Sequence, residues 1–112
     1  KLFQFCCLAP AIISGKNKKT INEMSKIGEE LGLLFQIADD LLDVRGIKKN
    51  VGKPVKKDQK KGKSTLIKLL GYKETLKFAL RRKKMIIVKL KKYETRSNEF
   101  IKTLNFILDR SY

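Results

Sequence analysis

Three carboxylates, Asp39, Asp40 and Asp43, stand inside the otherwise apolar stretch Gly32-Leu-Leu-Phe-Gln-Ile-Ala-Asp-Asp-Leu-Leu-Asp-Val44. The stretch reads as helix. At 3.6 residues per turn, Asp39 and Asp43 form an i,i+4 pair and Asp40 and Asp43 an i,i+3 pair, which puts all three on one side, with Gln36 one turn earlier. Like charges at this spacing repel one another and weaken the helix, so a positive partner accounts for them best. Hard divalent cations, which prefer oxygen ligands, are the natural candidates. Farther along come Lys53 and then Lys56-Lys-Asp-Gln-Lys-Lys-Gly-Lys-Ser-Thr65. An acidic helix face followed by a basic, glycine-containing loop is the pattern of a metal-bridged phosphate site. Gly62-Lys-Ser-Thr65 also echoes the end of an ATP-binding P-loop, but that motif needs a glycine where Lys57 stands and a strand before it. The ATPase reading is rejected on both counts.

The elements that must hold these residues are helical, and no segment reads as a convincing strand. A first helix is expected from Leu2 to Ile13, kinked at Pro10, followed by a turn over Ser14-Gly-Lys-Asn-Lys18. A second is expected from Lys19 to Val44, because Ile21, Met24, Ile27, Leu31, Leu34, Phe35, Ala38, Leu41 and Leu42 recur at three- and four-residue steps. Its second half is apolar nearly all round, the mark of a central helix covered by neighbours. Gly46 to Lys63 reads as a loop, interrupted by Gly46, Asn50, Gly52, Pro54 and Gly62. Ser64 is placed to cap a short helix that Gly71 ends, and a long helix follows from Lys73 to Tyr93 with Leu76, Ala79, Leu80, Ile86, Ile87 and Leu90 turned inward. A last helix, from Ser97 or Asn98, turns Phe100, Ile101, Leu104, Ile107 and Leu108 inward.

The chain has 112 residues, 42% of them hydrophobic, which suits one modest globular domain. With 27 basic and 11 acidic residues the formal charge is +16, compatible with nucleic acid, an anionic membrane surface or a polyanionic substrate. Much of the excess between Lys73 and Lys92 reads as solvated helix face. Nucleic-acid binding is the weaker reading, because Phe3, Phe5, Phe35, Phe78, Phe100 and Phe106 fall at positions that look like core rather than exposed stacking platforms. No apolar run is long enough to span a bilayer, and no signal-peptide pattern opens the chain. Cys6 and Cys7 are adjacent and cannot form a metal-ligand spacing; without histidine the common mixed zinc sites are closed. Buried reduced thiols in a cytosolic protein are expected.

The same residues resemble a known family. Gly32 to Val44 looks like the second aspartate-rich motif of the trans-polyprenyl diphosphate synthases, the farnesyl and geranylgeranyl diphosphate synthase family. Val51-Gly-Lys53 and Asp58-Gln-Lys-Lys-Gly-Lys-Ser-Thr65 stand at the separation that family uses. The resemblance implies an all-α fold, of which residues 1–112 are the C-terminal helices of a partial isoprenoid-synthase bundle. It implies prenyl transfer from an allylic diphosphate to isopentenyl diphosphate, with Mg²⁺ held by Asp39, Asp40 and Asp43. By position, Lys53 and Lys63 contact the allylic diphosphate, Gln36 lines the pocket near the reacting carbons, and Asp58 orients lysines or metal-bound water. A homodimer is implied for the full-length protein. The family's first aspartate-rich motif and its Lys-Thr pair have no counterpart in this chain, so the isolated fragment is expected to be inactive. A non-catalytic synthase subunit and a basic nucleic-acid-binding protein stand as the alternatives.

Overall fold

The computed structural model describes residues 1–49 and 65–109, and the described residues are helical throughout apart from short turns. The all-helical expectation holds. Lys53, Asp58, Lys63 and the cap assigned to Ser64 lie outside the described residues.

Helix α1 spans Leu2–Ile13, the predicted bounds, and runs through Pro10. Its end is a Schellman turn: Gly15 takes φ +66°, its N–H donates to the Ile12 carbonyl, and the Lys16 N–H donates to that of Ala11. Asn17 then opens the next helix, its Oδ1 accepting the Thr20 N–H at 2.8 Å.

Helix α2, Lys18–Lys49, is the spine of the structure at 32 residues. It runs past the expected stop at Val44 and through Gly46. A single glycine costs a helix only about 1 kcal/mol relative to alanine, too little to end a helix of this length. Its buried stripe, Ile27, Leu31, Leu34, Ala38 and Leu41, keeps the three- and four-residue steps read from the sequence. Leu42, counted with that stripe, is instead exposed.

Helix α1 crosses α2 at very short range. A Cβ built on Gly28 would sit 2.5 Å from the Gln4 Cα, so the two backbones touch there. Around that crossing, Gln4 Nε2 donates to Ser25 Oγ at 2.8 Å and to Glu29 Oε1 at 2.9 Å, and the Phe3 and Phe35 rings meet at 5.0 Å. Glycine here permits close packing rather than a turn.

Helix α3, Thr65–Leu90, is broken at Gly71 (φ 80°, ψ 165°), where the sequence placed the boundary between two helices. The buried Thr75 hydroxyl donates to the Leu66 carbonyl across that break at 3.4 Å. Ala79, Ile86 and Leu90 are buried in the core shared with α2 and α4, and Arg82 pairs with Glu30 at 3.3 Å while stacking over Phe78. The helix stops three residues short of the expected Tyr93. A 3₁₀ segment, Lys91–Ser97, follows, with Glu94 at φ +54° and the Ser97 hydroxyl donating to the Glu94 carbonyl at 2.8 Å. Helix α4, Asn98–Asp109, then buries Leu104, Ile107 and Leu108 against the rest.

Further core assignments from the sequence are corrected. Phe5 and Phe106 are 65% and 70% exposed, and Cys6 is exposed while Cys7 is half-buried. The reason is angular. Phe5 lies two positions from the inward Phe3, and Phe106 two positions from Leu104 and Leu108, and i,i+2 residues take opposite faces of a helix. Burial and the adjacent Cys6 push the Cys7 thiol above its usual range.

Replacing Gly28 by alanine is expected to destabilise the fold by about 1–3 kcal/mol through overpacking, despite alanine's better helix propensity. Chemical denaturation of the two proteins measures it, and a stabilised Gly28→Ala variant would show that the helices can separate freely.

Candidate functional site on the second helix

The acidic segment occupies the C-terminal half of α2, where the buried stripe holds the helix against its neighbours and thereby fixes how the carboxylates point. Asp40 follows that stripe inward and is only 7% exposed. Asp39 is half-buried and Asp43 exposed. Gln36, one turn before Asp40, donates from Nε2 to its Oδ1 at 3.3 Å. A carboxylate in an apolar setting is costly unless hydrogen-bonded, and the Gln36 amide supplies one such bond.

The helix therefore brings Gln36 and Asp40 into contact, and it does not give the three aspartates a common environment. Neighbouring helix positions diverge by about 100°, which separates Asp39 from Asp40. Among the described residues, no three acidic, thiol or imidazole groups gather closely enough to hold one metal ion. The donor set itself is hard oxygen, the chemistry that Mg²⁺ prefers, and this cation is commonly bound by one or two carboxylates completed by water and substrate phosphate. The aspartates fit that partial role. Lys53 and Lys63, read as the phosphate-binding partners, fall outside the described residues.

The polyprenyl synthetase family matches residues 1–104. The chain belongs to the polyprenyl synthetase family. It is 41% identical over 81 residues to a farnesyl diphosphate synthase of Geobacillus stearothermophilus, covering 70% of this chain and 27% of that protein. A dimethylallyltranstransferase of Fischerella ambigua is 31% identical over 111 residues, 99% of this chain and 32% of that protein. A geranylgeranyl diphosphate synthase of Sulfolobus acidocaldarius is 35% identical over 88 residues, covering 79% and 26%. The chain thus spans about a quarter to a third of the length of these polyprenyl synthetase relatives. No solved structure matches it.

Sequence reasoning missed one cluster within this family member. Lys92 Nζ and the Tyr93 hydroxyl, the latter at 3.1 Å, both donate to the Glu23 carboxylate, tying the start of α2 to the chain just past α3. Partners 69 and 70 residues apart leave no local pattern to detect. Burial pushes the Glu23 carboxyl up, but the hydrogen bonds from Lys92 and Tyr93 and the charges of Lys92 and Lys19 outweigh it and hold the group below its ordinary 4.5. The bond to Glu23 raises Lys92, and burial with that same bond raises Tyr93.

Folded Glu23 binds its proton less tightly than unfolded Glu23, so its contribution to stability is present above 4.5 and is lost as pH falls through the lower folded value. Glu23→Gln is expected to flatten that part of the acid limb in thermal melts recorded against pH. An unchanged acid limb would show that this carboxylate is not linked to folding.

Proposed function

We propose that the whole protein transfers the prenyl group of an allylic diphosphate to isopentenyl diphosphate and releases diphosphate. The observation that carries this reading is the acidic face of α2, where Asp40 is held almost out of solvent and bonded to Gln36 in a chain of the polyprenyl synthetase family.

Diphosphate leaves carbon poorly unless the negative charge growing on it is stabilised, so the demand on the protein is electrostatic. Asp39, Asp40 and Asp43 would hold Mg²⁺, Asp39 as a direct ligand and the other two through coordinated water. Bound there, the ion supplies Lewis-acid stabilisation of the departing diphosphate and fixes its orientation. Lys53 and Lys63 donate hydrogen bonds to the phosphate oxygens, a task suited to a compact ammonium group. Gln36 sits one turn before Asp40 and its amide nitrogen donates to that carboxylate; its assigned role is to border the pocket near the reacting carbons. The apolar residues around the acids, Leu34, Ile37, Ala38 and Leu41, are buried and keep water from that side of the helix. The opposing carboxylates, the two substrates' full enclosure and a homodimeric assembly belong to the longer protein.

In the intact protein, Asp39→Ala and Lys53→Ala are each expected to lower kcat by about a hundredfold or more, the scale of losing one electrostatic group at a developing charge. Diphosphate binding is expected to require Mg²⁺ and to weaken in Asp39→Ala. Calorimetric binding that ignores both Mg²⁺ and that substitution would refute the assignment. The 112 residues alone are expected to form no labelled prenyl product, because half a site cannot shield a carbocation from water.

A further inference from the structure

We propose that a second anion site, separate from the aspartates, lies in the groove between the first half of α2 and the end of α3, and that it takes the phosphate groups of a small anionic ligand. The groove has a volume of about 470 Å³ and is bordered by Lys19, Glu23, Lys26, Val88, Lys89 and Lys92. That size falls within the range of small-molecule sites.

Four ammonium groups and one carboxylate face this space. The carboxylate, Glu23, is already engaged by Lys92 and Tyr93. Among the described residues, Lys19, Lys26 and Lys89 make no salt bridge. The charge of Lys19 also acts on the Glu23 carboxyl, which lines the same groove. Helix α2 also begins with lysines and has no acid in its first turn, a placement that works against the helix dipole. Converging like charges in a concavity raise the local concentration of anions and are relieved by one that binds. Phosphate matches best, since each ammonium donates a charge-assisted hydrogen bond to a phosphate oxygen.

Along the axis of α2, Lys26 is thirteen positions from Asp39, about 20 Å at 1.5 Å per residue, so one diphosphate cannot bridge the two places. On α3, Val88 is 67% exposed and Met85, one turn earlier, 51% exposed, leaving an apolar shoulder beside the lysines. The phosphate can therefore come from a free oligophosphate or from a lipid headgroup whose chains rest on that shoulder.

The test uses protein expressed from its complete coding sequence, with chelator present so that metal-dependent binding at the aspartates is silent. Inorganic tripolyphosphate is titrated by calorimetry, and vesicles of phosphatidylcholine with phosphatidylglycerol are tested by co-sedimentation. The double variant K26E/K89E is expected to weaken binding at least about tenfold, the scale of losing one charged hydrogen bond, and Asp39→Ala to leave it unchanged. Both lysines are exposed, so the fold should tolerate the change; circular dichroism checks this, and K26Q/K89Q is expected to fall between. Tripolyphosphate binding lost in K26E/K89E upholds the site with a free ligand. Vesicle binding alone, lost in that variant, upholds it with a headgroup. No binding of either probe, equal binding by K26E/K89E, or a loss seen instead in Asp39→Ala or Lys53→Ala overturns the proposal. None of these outcomes depends on prenyl transfer, so the two readings fail separately.

Discussion

One helix is asked to do two incompatible things. Helix α2 must bury an apolar stripe deeply enough to organise α1, α3 and α4 around it, and over the same turns it carries three carboxylates that need polar company. The stripe wins the orientation: Ile27, Leu34, Ala38 and Leu41 are fully buried, and the acids take whatever direction remains. Asp40 is consequently drawn almost out of solvent and bonded by Gln36, while Asp43 stays in water. Hydrophobic burial sets the rotation of the helix because each fully buried aliphatic side chain is worth about 1.5–3 kcal/mol, more than an exposed charge gains by turning outward.

The second constraint is charge. With 27 basic groups against 11 acidic ones, carboxylates are the scarce partners. Lys77–Glu74 and Lys102–Glu99 are exposed pairs within a single helix, and such pairs add little. Glu30 with Arg82 and Glu23 with Lys92 and Tyr93 instead join α2 to the α3 side of the structure. The acids that tie elements together lie on the first half of α2, and the aspartates of the acidic motif lie on its second half. Polarity is thus divided along one helix, with structural ion pairs toward its start and the candidate chemistry toward its end.

Much of this was legible residue by residue. The bounds of α1, the break at Gly71, the start of α4 and the inward faces of α2 and α4 follow from periodicity and glycine placement, because a helix's apolar stripe is a local property of its sequence. The stop at Val44 and the end at Tyr93 were misplaced for opposite reasons. Gly46 is too weak a breaker to halt a long helix, and the turn to 3₁₀ geometry after Leu90 accompanies contacts that Lys92 and Tyr93 make with a residue far away in the chain.

By itself the sequence determined the helical class, the family-bearing pattern Phe35-Gln36 with Asp39, Asp40 and Asp43, and the wealth of lysine, since types and spacings are written in the chain. Only the tertiary structure decided that Gly28 lets two backbones touch, that Phe5, Cys6 and Phe106 face outward, that Asp40 is buried while Asp43 is not, and that four lysines meet across a groove. Those outcomes depend on which helix lies opposite which, and that is fixed by packing between segments that no local spacing encodes.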